Sequence, residues 1–196
     1  YIYLHTIWKI ERSELMSTIS MTLEEVRKFM VSYHGINTIN QPKGKEGLLS
    51  VFEKIGSVQY DPLNVVGRNS DLTLQSRIED YKVTMLEEAL YCDRTLIDGW
   101  DKMMCIHQTK DFPYFKKNRE VRGESAINTL SYRLSLDALE YVNEMIDYIT
   151  INGPTYASDI NLGITKKHKW GHTKPSSATL DYLFHVGKLG IKEKRN

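Results

Sequence analysis

The chain has 196 residues, of which 41% are hydrophobic and 26% charged, a composition that excludes a disordered protein. No apolar run approaches the roughly 20 residues that a membrane-spanning helix needs. The two cysteines, Cys92 and Cys105, exclude a disulfide framework and offer no metal-ligand spacing. We interpret them as reduced thiols of a cytoplasmic protein.

The formal net charge is only +1, so total charge does not indicate a nucleic-acid binder. The charges are unevenly distributed, however, because only Asp181 and Glu193 are acidic from Lys166 onward. The cations of this stretch are Lys166, Lys167, Lys169, Lys174, Lys188, Lys192, Lys194 and Arg195. This pattern favours a face that binds phosphates, and a merely solvated basic face is the alternative.

The first predicted helix follows residues 1–20, which we expect to be an extension outside the main fold. Charged residues interrupt that extension, and they exclude a signal-peptide core. Thr22-Leu23-Glu24-Glu25 is a capping box, and Gly35 ends the helix that it begins.

A second helix is predicted from Lys45, with Gly56 as its left-handed C-cap, and a short strand from Ser57 to Tyr60 follows it. Side chains alternate along a strand, so Gln59 and Asp61 are expected on the same face. An amide and a carboxylate in that arrangement can hold one water molecule. An ordinary solvated strand end is the alternative interpretation of the same two residues.

Further along, Leu72 to Leu74 is predicted to be a returning strand, and a capping box at Thr84 is predicted to begin another helix. The pattern of residues 93–106 fits neither helix nor strand clearly. Trp100, within it, is expected in the core because that is the commonest place for tryptophan. Residues 113–128 are polar and basic, and they favour a helical connector that either tracks phosphates or is simply solvated.

The last third carries the clearest helical periodicity. Ser135 is predicted to cap a helix that extends to Ile149, and Thr155 to cap a short helix at residues 156–160. Ser176 or Ser177 should cap a third helix, which offers none of the arginine or asparagine contacts that read base sequence. A strand is predicted to begin at residues 189–191.

These elements predict a mainly α fold with small β-sheets, of the α+β class, built from tandem winged helix-turn-helix domains. The expected division is an extension at 1–20, a first winged-helix-like domain at 21–112, a helical connector at 113–133, and a second winged-helix domain at 134–196. The second domain would stop at its wing.

The segments VQYDPLNVVGR, LTLQSR and IEDYKVTMLEEALY together resemble the YcaQ-like family of bacterial winged-helix DNA glycosylases, which repair alkylated purines and interstrand crosslinks. The likeness extends from about Thr22 to the end of the chain. The family carries a Gln-x-Asp or Gln-x-Gln motif here, which implies that Gln59 and Asp61 are catalytic. Members run well beyond this length, so we expect an N-terminal fragment.

The resemblance also implies residues that contact DNA or line a base pocket. These candidates are Asn64, Arg68, Arg77, Trp100, Lys102, Lys169, Trp170 and Lys174. Two departures bear on substrate preference, because many members carry histidine where this chain has Ser70 and Lys102.

The resemblance implies a monofunctional hydrolase that acts as a monomer on double-stranded DNA with alkylated or crosslinked bases, without a membrane partner. The protein would be nucleoid-associated when bound to DNA. Its chemistry needs no metal and no cofactor. A Schiff-base mechanism is the rival, with Lys102 as the nucleophilic lysine. Two functions of other classes also remain open, a non-catalytic winged-helix transcriptional regulator and a protein-interaction module.

Overall fold

The computed structural model describes residues 19–37, 40–168 and 171–194. The chain forms two compact units, Tyr1–Asn37 and Thr38–Asn196. Most of the expected extension, residues 1–18, lies outside the described residues. Helix α1 (Leu23–Tyr33) belongs to the first unit, and its predicted capping box is confirmed. The Thr22 hydroxyl accepts the Glu25 N–H at 3.2 Å, and the Glu25 carboxylate accepts the Thr22 N–H at 2.7 Å.

The first half of the second unit combines helices with a three-stranded sheet. Its elements are α2 (Gly44–Ile55), β1 (Ser57–Gln59), α3 (Asn69–Gln75), α4 (Val83–Tyr91), β2 (Leu96–Trp100) and β3 (Met104–Gln108). The strands are antiparallel in the order β1-β3-β2, which leaves β1 at one edge. Leu48 and Phe52 of α2 are fully buried against the sheet, and Gly56 ends α2 with the predicted positive φ, +79°.

Two predictions in this half are wrong. Residues 72–74 lie in α3 rather than in a strand, because the buried residues Ser70, Asp71 and Leu74 follow helical spacing. Helix α4 begins at Val83, its N-cap Lys82 makes no side-chain capping bond, and the Thr84 capping box is therefore absent. Residues 93–106, for which the sequence predicted no clear element, contain strand β2 and the start of β3. The turn at residues 101–103 joins the two strands.

The second half of the unit is mostly helical. Its elements are a 3-10 helix (Thr109–Phe115), α5 (Lys116–Tyr132), a second 3-10 helix (Leu136–Tyr141), α6 (Val142–Asn152), the hairpin of β4 (Lys166–His168) and β5 (Gly171–Thr173), and α7 (Pro175–His185). The helix predicted in the polar, basic segment is observed as α5, and its role as a connector between domains stays a prediction. Met145, Ile160 and Leu183 form the buried centre between α6 and α7.

The caps and short elements predicted here are corrected. Ser135 does not cap a helix, since its hydroxyl donates to the Arg133 carbonyl at 3.0 Å. Residues 156–160 hold only a turn at 157–159. Neither Ser176 nor Ser177 caps α7, because Pro175 occupies its first turn, a position that tolerates the missing N–H.

No strand begins at residues 189–191. The N–H groups of Lys188 and Leu189 both point back to the Leu183 carbonyl, at 2.9 and 3.3 Å, so the chain closes the end of α7 instead. The α+β class is nevertheless confirmed, because the unit mixes helices with small antiparallel sheets. No helix in the described part of the chain is long and apolar enough to cross a membrane.

Candidate active site and nucleic-acid interface

Gln59 and Asp61 lie at the end of edge strand β1. The Cα atom of Gln59 pairs with that of Cys105, and the Tyr60 N–H donates to the Met104 carbonyl at 2.8 Å. Val58 is buried and Gln59 is exposed, as alternation along a strand requires. The amide of Gln59 is therefore presented to solvent from a backbone that is fixed on one side by β3.

Asp61 is held by two further hydrogen bonds, one to its backbone and one to its side chain. Its N–H donates to Asn69 Oδ1 at 2.8 Å, and its own Oδ1 accepts the Leu63 N–H at 2.9 Å. The side chain is half-buried. No hydrogen bond to Asp61 Oδ2 is present within the described part of the chain. One carboxylate oxygen thus orients the following turn, and the other can accept a bond from a ligand or water.

The two arginine candidates next to the motif make contacts within the chain. Arg68 Nε lies 3.6 Å from Asp71 Oδ2, and Arg68 Nη2 lies 3.4 Å from Glu87 Oε1. Arg77 Nη1 donates to the Thr73 carbonyl at 2.7 Å. These bonds give both arginines a structural role in fixing α3. Asn64 differs, since it is exposed in the loop that follows Asp61.

Tyr60, directly after β1, packs against the core, where it contacts an ion pair that the sequence analysis did not predict. Lys194 Nζ lies 2.6 Å from Asp98 Oδ1 and 3.3 Å from the centroid of the Tyr60 ring. Burial lowers the pKa of Lys194, and the Asp98 charge opposes that shift. Burial also raises the pKa values of Tyr60 and Tyr91, the second of which lies beside Asp98.

Trp100 is half-buried and stacks against residues of two helices. The centroid of its ring lies 4.5 Å from that of His185 of α7, with a 22° angle between the planes. The guanidinium carbon of Arg122, from α5, lies 4.9 Å from the same centroid. The indole therefore packs between α5 and α7 at the end of β2, which fits the expected structural role. A contact between Trp100 and a DNA base stays a prediction.

Lys102 occupies the turn between β2 and β3, and its side chain is exposed. Arg122 donates to the Asp101 carbonyl at 2.9 Å and also to the Lys102 carbonyl, and Asn118 bonds the Asp101 carboxylate at 3.2 Å. The turn is therefore anchored on α5. Met104 follows this turn directly, and its carbonyl accepts the Tyr60 N–H. Lys102 therefore lies at the same end of the sheet as the Gln-x-Asp motif.

A basic cleft of about 690 Å³ separates α5 from α7 and β5. Arg122, Arg133, His172, Lys174 and His185 line it, and Asp181 is the single carboxylate among its described lining residues. Lys174 is exposed at the N-terminus of α7. The sequence analysis identified Lys174 as a candidate and missed Arg133. Arg133 lies 41 positions earlier in the chain, so only the folded structure brings it to the cleft. Lys169 and Trp170 lie outside the described residues.

Two comparisons with known proteins bear on these features. The model of a family described as DNA glycosylase AlkZ-like matches residues 52–196, which is more than half of the chain and includes the whole Gln-x-Asp motif. No solved structure matches the chain. The resemblance to the YcaQ-like DNA glycosylases is confirmed at the level of the family. The chain belongs to the AlkZ-like DNA glycosylase family.

Proposed function

We propose that this protein is a DNA repair glycosylase that hydrolyses the N-glycosidic bond of N7-alkylated or crosslinked purines. The observation that carries the proposal is that Asp61 is held by two hydrogen bonds, two residues after the exposed Gln59 at the end of β1, in a chain of a DNA glycosylase family. The bonds from Asn69 and Leu63 keep Asp61 in one orientation before substrate arrives. Such preorganisation is what makes a charged group effective in a transition state.

The proposed reaction follows from the charge of the substrate. Alkylation at N7 makes a purine cationic, so the base leaves with the electron pair of the C1′–N9 bond without prior protonation. Positive charge then grows on the sugar, and the Asp61 carboxylate stabilises it. Gln59 orients a water molecule whose oxygen bonds to C1′, and its proton passes to Asp61.

The Schiff-base mechanism has less support than hydrolysis by an activated water molecule. A nucleophilic lysine is usually activated by an apolar pocket or by a neighbouring cation. The side chain of Lys102 is exposed, and its turn contains the acidic Asp101. We therefore propose a monofunctional hydrolase, for which borohydride should trap no covalent complex between Lys102 and cleaved DNA.

The domain architecture is also a proposal. The order α2, β1, α3, α4, β2, β3 supports a winged-helix unit in the first half, because its sheet order β1-β3-β2 places the β2–β3 turn where a wing would lie. We keep the division at 21–112, 113–133 and 134–196, with a second winged helix in the last part. The basic cleft supports binding to the backbone of double-stranded DNA, and we propose that the protein binds it as a monomer.

The test is the release of free base from a duplex that contains N7-methylguanine, under single-turnover conditions. Asp61→Asn and Gln59→Ala should each lower the rate by roughly 100-fold or more. Asp159→Asn makes the same chemical change as Asp61→Asn at an exposed site outside the segments that carry the family resemblance, and it should leave the rate unchanged. DNA affinity should stay near that of the wild type in all three variants.

Two outcomes would contradict the proposal. If both motif variants release base at the wild-type rate, Gln59 and Asp61 are not catalytic. If the wild type binds DNA but releases nothing from the N7-methylguanine duplex or from an N7-crosslinked one, the protein is not this glycosylase. The regulator function would then be the better hypothesis.

A further inference from the structure

The loop that follows Asp61 exposes three large aliphatic side chains. Leu63 is 70% exposed, Val65 89% and Val66 86%. These are among the most exposed hydrophobic residues in the described part of the chain. Burying side chains of this size would stabilise the fold, so this loop keeps a substantial apolar surface out of the core. Clustered exposed apolar side chains of this kind indicate an interaction site.

Both ends of the loop are fixed. At the start, the Leu63 N–H is bound by Asp61 Oδ1 at 2.9 Å, and Asn69 Oδ1 binds the Asp61 N–H at 2.8 Å. At the end, Gly67 has φ +142°, and a Cβ atom placed there would lie 3.0 Å from Leu72 Cδ2. The valines are therefore presented on a short span between two anchored ends.

The loop also lies within reach of the base stack of any DNA that is bound at Asp61. Two residues span at most about 7 Å, so Leu63 cannot be farther than that from Asp61 along the backbone. Consecutive nucleotides in a strand rise about 3.4 Å, so Leu63 is within about two base steps of a sugar that contacts Asp61. Val65 and Val66 are within about four to five steps by the same reasoning.

A further apolar side chain lies in the turn that leads into the neighbouring strand β3. Met103 is 53% exposed, and it precedes Met104, whose carbonyl binds the Tyr60 N–H at 2.8 Å. Its turn is anchored on α5 through Arg122. Exposed aliphatic residues thus occur on both chain segments that meet where β1 ends, which is where the proposed reaction takes place.

We propose that Leu63, Val65 and Val66 form a wedge that inserts into the base stack beside the damaged nucleotide. The proposal rests on the proposed function, since it takes double-stranded DNA bound at Asp61 as the occupant. Leu and Met are among the apolar wedges that proteins place between base steps, and insertion there partly unstacks the duplex. Unstacking has a free-energy cost, and this cost is lowest where a lesion has already weakened the stack. The wedge therefore gives the site a preference for poorly stacked lesions.

The test uses a duplex with N7-methyl-2′-fluoro-2′-deoxyguanosine, whose glycosidic bond resists hydrolysis, and a neighbouring 2-aminopurine that fluoresces when unstacked. Saturating wild-type protein should raise the fluorescence several-fold. Val65→Ser combined with Val66→Ser should remove most of that rise and weaken DNA binding by about tenfold. The salt dependence of binding should not change, since no phosphate contact is lost. The control, Ile151→Ser with Ile164→Ser, removes two other side chains that are 81% and 82% exposed.

Several results would overturn the wedge. One is an equal fluorescence rise for the double variant, the control and the wild type. Another is a wild-type protein that does not raise the fluorescence, together with a double variant that binds DNA more weakly. The valines would then contact the surface of the duplex without entering the base stack. A third is a wild-type dimer, without DNA, that the two serines dissociate, which would assign the loop to a second copy of the chain. If wild-type protein unstacks the probe but releases no N7-methylguanine, the wedge stands and the glycosylase proposal fails.

Discussion

The ammonium nitrogen of Lys194 lies 2.6 Å from Oδ1 of Asp98, although the two residues are 96 positions apart in the chain. The Asp98 side chain is only 2% exposed and that of Lys194 18%. The Tyr60 ring lies directly under the ammonium group. The last described segment is therefore tied to the core of the sheet, next to the residue between Gln59 and Asp61.

Lys194→Met should destabilise the protein because it leaves the Asp98 carboxylate buried without its partner. Losing one member of a buried ion pair costs about 3–5 kcal/mol of unfolding free energy. Asp98→Asn should have a cost of similar size, and the double variant should lose less than the sum of the two. Urea unfolding measures all three. Lys192→Met, at an exposed neighbouring lysine, is the control, and a Lys194→Met protein as stable as that control would show that the pair contributes nothing.

Asn69→Ala should slow base release without weakening DNA binding. The Asn69 side chain accepts the Asp61 N–H, so its loss frees the backbone of the catalytic candidate and leaves the carboxylate less well oriented. A misplaced catalytic group lowers the rate by roughly 10- to 100-fold. Asn69→Asp keeps an oxygen acceptor at this place, and we expect it to retain most of the rate. Equal rates for both variants and the wild type would show that this bond does not position Asp61.

The sequence predicted the local part of this site and missed the long-range part. Gly56 and Pro62 bound strand β1 by backbone chemistry that acts within a few residues, so the placement of Gln59 and Asp61 could be anticipated. Residues 72–74 alternate as a strand would, but burial of Ser70 and Asp71 selects a helix, and that burial depends on the rest of the fold. The pairing of Lys194 with Asp98 has no local signal at all, because a charged residue in sequence does not reveal its distant partner.

Ser70→Ala should preserve or increase stability. The Ser70 side chain is 1% exposed, and its hydroxyl has no hydrogen-bond partner in the described structure. Removing an unsatisfied buried hydroxyl recovers its desolvation cost, and alanine is also the better helix former in α3. We therefore expect the unfolding free energy to rise by about 1 kcal/mol.

Ser135→Ala is the matched control, since Ser135 is equally buried but its hydroxyl donates to the Arg133 carbonyl. This variant should lose about 1 kcal/mol of unfolding free energy. Thermal unfolding compares the two, and a clear loss for Ser70→Ala would contradict the expectation.

Stability should fall on mild acidification because of His107. Its Nδ1 lies 2.8 Å from the Gln108 carbonyl, which only accepts, so Nδ1 carries the hydrogen and Nε2 faces Gly99. Burial lowers the pKa of His107 below its ordinary value of 6.5. The unfolded chain therefore binds a proton more readily, and stability is lost as the pH falls from 6.5 toward the folded pKa.

His107→Phe keeps the ring stack on Phe115, whose centroid lies 4.1 Å away, and removes the titrating group. The urea midpoint of the wild type should fall more steeply than that of the variant between about pH 7 and pH 5. Carboxylates titrate in both proteins and cancel in the comparison. If the urea midpoints of the two proteins change equally over this pH range, His107 has the same pKa in the folded and unfolded chains.

The basic cleft between α5 and α7 should reveal itself in the salt dependence of DNA binding. Arg133 and Lys174 are both exposed on its walls, and no acidic partner of either is found within the described residues. Each cation that neutralises a phosphate contributes about 0.9 to the slope of log affinity against log salt concentration. Arg133→Ala combined with Lys174→Ala should therefore reduce the slope by about 2, similarly for damaged and undamaged duplexes. Lys43→Ala with Lys110→Ala removes the same charge from lysines that are paired with Glu79 and Glu53, and it should leave the slope nearly unchanged. Equal slopes for the two double variants would mean that only net charge matters, and that the cleft does not hold the DNA backbone.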